Sequence, residues 1–158
     1  MGGAGAMSGS TSGVEPFNIV VDRWVDRAKG NLQAVFAGTV HDIVARLKEL
    51  TPVRTGYLRA NWIVTTSDDV SPIESQNDGA LSFALADLKI GVRAVITNPV
   101  VYARRVNYGF VGVDKLNRHY HQEGRHMVEQ VITEIPKIVQ GVIQRVQQGG
   151  SGGNGGAP

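Results

Sequence analysis

The chain has no cysteine, which excludes a disulfide framework, a thiolate nucleophile and any zinc site built on cysteine. That absence is compatible with a reducing compartment. Charge of one sign is also scarce. Lys and Arg number 16 against 14 Asp and Glu, a formal net charge of +2, too small for a dedicated nucleic-acid binder. No apolar run approaches the ~20 residues needed to cross a bilayer, so no membrane role is expected. The basic-then-apolar pattern of a secretory signal is missing from the N-terminus. There is no phosphate-cradling loop, dinucleotide fingerprint, HExxH pair or nucleophile elbow. No cofactor and no catalytic residue is therefore expected.

Glycine is what the chain has in excess, at 20 residues. Residues 1–13 hold five of them and residues 149–158 hold six, while the nine within 14–148 match ordinary usage. The expected organisation is a single domain, 14–148, between two flexible Gly-rich arms, 1–13 and 149–158. About 135 residues suffice for one core and not for two domains.

Residues 17–50 repeat apolar side chains at spacings of three and four, from Val21 and Trp24 to Leu47 and Leu50, which predicts one long amphipathic helix. Thr51-Pro52 ends it. At 1.5 Å per residue it would run about 50 Å, more than a domain of this size covers, so part of it is expected to meet another subunit. Gly30, Ala34 and Gly38 recur every four residues on a different face. Interior glycine costs a helix up to about 1 kcal/mol. Either a neighbouring helix or chain approaches closely there, or the stripe is a tolerated weak point near Gly30.

After Thr51 a short helical turn is expected, with Thr55 placed to cap it and Gly56 easing the turn. Residues 60–67 read as a strand, and residues 68–88 as a long loop with five acids and no Lys or Arg, its last part either strand or short helix. Residues 89–97, KIGVRAVIT, are the clearest strand. A helical turn over 100–109, an ordered loop over 110–124 and a second amphipathic helix over 125–148 follow, with a kink or break expected at Pro136. The predicted fold class is α+β, a long N-terminal helix and a C-terminal helix packed on a small, mainly antiparallel sheet.

Two groups of residues invite a chemical reading. His119, His121 and His126, with Glu123 nearby, have some of the makings of a zinc site, yet two histidines at i and i+2 in a polar segment more often serve surface or interface hydrogen bonds. Residues 93–126 carry six Lys and Arg against two acids, with Tyr102, Tyr108, Phe110 and Tyr120 interleaved. Such a mixture can bind nucleic acid through phosphates and stacking. It can equally pair with the acidic 68–88 stretch of a neighbouring subunit, or be solvated surface.

Residues 51–62, TPVRTGYLRANW, and residues 97–109, TNPVVYARRVNYG, resemble in order and spacing two motifs of the small tail-completion proteins of long-tailed bacteriophages, the minor tail protein Z-like, head–tail joining group. The family-signature positions are Thr51, Pro52, Thr55, Gly56, Leu58 and Arg59. Asn107 stands where an acid is common in that group, and residues 110–124 depart from its usual run into the last helix. The resemblance implies an α+β subunit of a homo-oligomeric, sixfold ring in the virion neck or tail end, assembled in the host bacterial cytoplasm. Its partners would be its own copies, the adjacent neck and tail-tube proteins, and double-stranded DNA passing without sequence-specific binding. Gly30, Ala34, Gly38, Tyr102, Arg104, Arg105 and Tyr108 are then the expected subunit-interface residues. Asp68, Asp69, Glu74 and Asp78 would line the channel, face outward, or make an intersubunit contact.

Overall fold

The first helix, α1, covers Phe17–Leu50 in the computed structural model, which describes residues 17–54, 56–66 and 78–150. Its unbroken 34 residues follow from the three–four repeat and the absence of internal proline. It ends where Thr51 folds back, the Thr51 hydroxyl and amide both donating to the Leu47 carbonyl at 2.5 and 3.1 Å. After it come α2 (Tyr57–Ala60), β1 (Ile63–Thr65), α3 (Asp78–Asp87), β2 (Val95–Thr97) and α4 (Ala103–Tyr108). The chain closes with β3 (Gly109–Val113), β4 (His119–Glu123) and α5 (Met127–Gly150).

The architecture is the expected α+β, with the antiparallel pairing divided into two ribbons, β1 with β2 and β3 with β4. In the first, Ile63 faces Thr97 and Thr65 faces Val95. Both strands are shorter than the sequence pattern suggests. Residues 60 and 61 are taken by the end of α2 and its cap, and Gly91, at φ 91°, turns the chain so that Val92 N–H bonds back to the Lys89 carbonyl at 3.0 Å. The second half of the acidic stretch resolves to helix α3.

Residues 110–124, expected as a loop, form the β3–β4 hairpin, with Phe110 opposite Gln122 and Gly112 opposite Tyr120. Asp114 makes the turn. Its carboxylate accepts from the Leu116 and Arg118 amides at 2.9 Å each and from Arg118 Nε at 2.8 Å, while Asn117 takes the left-handed conformation that asparagine tolerates.

Pro136 interrupts nothing: α5 passes through it as one helix. Proline removes the bond to the carbonyl four residues back, here Ile132. Both residues lie on the exposed side of α5, where the ring of Pro136 displaces no packed neighbour.

The core gathers Val40, Val44 and Leu47 of α1 with Trp62, Val64, Leu81, Leu88, Met127 and Val131. α5 lies antiparallel on the later part of α1. Arg46 clasps Glu134 through two hydrogen bonds of 2.7 and 2.9 Å, Asp42 pairs with Arg145, and Gly38 lies against Val142. α5 continues only about eight residues past Val142, so its cover of α1 stops near Gly30. The first ~13 residues of α1, about 20 Å, project beyond it.

Candidate functional site

The two segments that carry the family resemblance fold against one another. Thr51, buried, accepts the indole N–H of buried Trp62 at 2.8 Å, tying the end of α1 to the start of β1. Gly56 is the residue before α2, at φ 76°, a left-handed conformation that strains any residue with a side chain. The expected cap, Thr55, lies outside the described residues, and the residue at the cap position is Gly56, which has no side chain to offer. Leu58 is buried, and its carbonyl accepts the Asn98 side-chain amide at 2.8 Å. The same Asn98 side chain accepts the Val100 amide at 3.2 Å, which sets the turn into α4. Residues 58 and 98 thus clasp the two motifs together, and β1–β2 pairing extends the clasp.

Between this clasp and the β3–β4 hairpin lies a cleft of about 1040 Å³. Pro52, Gly56 and Leu58 form one wall, Tyr102, Arg105 and Val106 a second, and Phe110, Tyr120 and Gln122, on one face of the hairpin, a third. Arg54, Arg105, Lys115 and Arg125 bring four cationic side chains to it, all exposed. Among the described residues none of the four is in an ion pair. The Arg105 guanidinium stacks 4.6 Å from the centre of the Phe110 ring, a cation–π contact that fixes its plane. Asp114 also lines the cleft, but its oxygens are committed to the hairpin turn and to Arg118, at 2.7 Å. Hydrogen bonds from the Arg118 amide, foremost, hold its carboxyl below the usual range.

This arrangement can hold anions. Arginine offers paired donors to a carboxylate or phosphate, and Leu58, Val106 and Phe110 supply apolar contact beside them. Among the described residues no nucleophile–base pair lines the cleft. His119 and His121 sit on β4 and His126 follows the hairpin, with Nδ1 4.0 Å from Glu129. Among the described residues no three carboxylates or imidazoles gather closely enough to hold a metal ion.

The other expected positions are scattered. Arg59, Arg104 and Tyr108 are exposed and outside the cleft, Tyr108 bordering a smaller hollow with His121 and His126. Gly38 allows close approach, though by α5 of the same chain: a Cβ there would lie 2.8 Å from Val142 Cγ1. Gly30 has open space around it, and Ala34 is exposed. Asp68, Asp69 and Glu74 lie outside the described residues, and Asp78 opens α3. Sequence reasoning missed the hairpin wall of the cleft. The signal available was Asp114 with Asn117, two turn-forming residues set between two runs of strand length.

Comparison with protein families, with curated proteins and with solved structures finds no match in any of the three. Among the described residues no helix is long and apolar enough to cross a membrane.

Proposed function

We propose that this chain is a non-enzymatic structural subunit of a bacteriophage neck or tail end. Copies of it form a closed ring, sixfold by the family resemblance, which completes the tail or joins it to the head and leaves a channel for DNA. The observation that carries this reading is the apolar side chains left exposed along the first half of α1. Ile19, Val20, Val21, Trp24 and Leu32 are exposed there, Trp24 by 70% and Leu32 by 59%. Exposed apolar side chains along a helix forgo most of the burial that would stabilise it, and a neighbouring copy in a ring restores that burial. The clasp between residues 51–62 and 97–109 supports the reading a second way, because the two motifs that resemble the family make one structural unit.

Light scattering on the purified chain, followed by cryo-electron microscopy of the assembled particle, tests it. A ring-sized mass and density for the chain between capsid and tail tube are expected. A monomer at all concentrations that is also absent from particles overturns the reading. The cationic, aromatic cleft favours a second function, nucleic-acid binding through residues 93–125. On that reading duplex DNA is bound with strong salt dependence, and Arg105→Ala with Arg125→Ala abolishes the binding.

A further inference from the structure

We infer that the cationic cleft receives the acidic segment 67–78 of a second copy of this chain. The inference rests on the ring reading and gives it a specific contact. Four cationic side chains, Arg54, Arg105, Lys115 and Arg125, converge on the cleft without a carboxylate partner among the described residues. The same chain holds the complementary block: Asp68, Asp69, Glu74 and Asp78, with no Lys or Arg among them. Val70 and Ile73 stand between those acids and match the apolar wall of Leu58, Val106 and Phe110. Pro72 favours an extended backbone, the form that lays such side chains along a groove.

The second copy is taken from the ring reading, on which each chain meets its neighbours, and the charge complementarity of cleft and segment is what pairs them. A peptide is favoured over duplex DNA on two grounds. The cleft pairs its cations with an apolar wall, and the chain's net charge of +2 gives little general attraction for a polyanion.

The test uses the full chain carrying Asp68→Asn, Asp69→Asn, Glu74→Gln and Asp78→Asn, so that its own segments cannot compete, and a labelled synthetic peptide of residues 67–79. Binding at low salt that weakens as salt rises is expected. Arg105→Glu with Arg125→Glu should lower affinity by about tenfold or more, and a peptide with its four acids changed to Lys should bind that variant better than the natural peptide does. If that pair of substitutions disturbs folding by circular dichroism, Arg54→Glu with Lys115→Glu serves the same purpose. No peptide binding to the folded chain, or binding indifferent to both charge reversals, overturns the inference. So does a short DNA duplex that occupies the cleft while the peptide does not. The two readings fail separately. Rings that still form with the neutralised segment and no peptide binding leave the ring and remove this contact. Peptide binding by a chain that stays monomeric and absent from particles does the reverse.

Discussion

Asn107 shows how one side chain can join two elements across 22 positions. Its amide nitrogen donates to both oxygens of Glu129, at 2.9 and 3.2 Å, its amide oxygen accepts the Val128 N–H at 3.2 Å, and its carbonyl accepts the His126 N–H at 2.9 Å. The residue is buried, so the end of α4 is locked onto the first turn of α5. The Asn107 amide is also the main cause of the lowered Glu129 pKa. An acid at 107, common in the family that the motifs resemble, would set two carboxylates against each other and lose both donors. Asn107→Asp should lower the melting temperature at pH 7, on the order of 5 °C, and adding Glu129→Gln should restore part of the loss in a double-mutant cycle. Equal stability of Asn107→Asp and the parent would show that the pair contributes nothing. The sequence marks Asn107 only as a departure, because a partner so distant leaves no local pattern. The same holds for Thr51, whose bond to Trp62 spans a turn that no periodicity describes.

The helices and the hairpin differ in how visible they are from sequence, and the reason is burial. α1 and α5 bury a continuous face against each other, so their apolar residues repeat at three and four and can be read directly. Every residue of β4 is exposed. With neither face in the core, nothing obliges the hairpin to alternate apolar with polar, and its residues read as loop. The cleft was lost with it, since one of its walls is that hairpin. The small-residue stripe also divides once α5 is in place. Gly38→Leu should cost about 1–3 kcal/mol by overpacking against stiff, buried Val142. Gly30→Ala, in open space within a helix, should raise monomer stability by up to about 1 kcal/mol. Thermal denaturation of both variants checks this; equal effects would mean that the two glycines play the same part. The Arg46–Glu134 clasp adds a pH dependence. The Arg46 hydrogen bond, foremost, lowers the Glu134 pKa. A carboxyl depressed in the folded state stabilises it above the unfolded pKa, near 4.3, and that stabilisation is lost as pH falls through the folded value. Melting temperature should therefore decline below about pH 4.5, and Glu134→Gln should decline less over the same range. Parallel curves would exclude the clasp as a source of acid sensitivity.

At the scale of the molecule, the contradiction to explain is a well-ordered core with much apolar surface left outside it. Val101 is 97% exposed, Val111 and Leu116 more than 70%, and the projecting part of α1 adds its own apolar face. Scattered exposed side chains are ordinary on a monomer. A helix segment about 20 Å long that carries exposed apolar side chains and runs past the end of α5 is not covered by the other described elements of the chain. Trp24 is 70% exposed and stands outside the core cluster, so a change there separates folding from assembly. Trp24→Glu should leave circular dichroism and thermal stability of the dissociated chain nearly unchanged, within about 0.5 kcal/mol. Burying an unpaired carboxylate between copies is costly, so on the proposed ring reading the same variant should fail to assemble in light scattering and be absent from particles. Assembly equal to the parent would show that the projecting face of α1 is not where the copies meet. The proposed ring would then rest on another surface, and the cationic cleft is the one left to hold it.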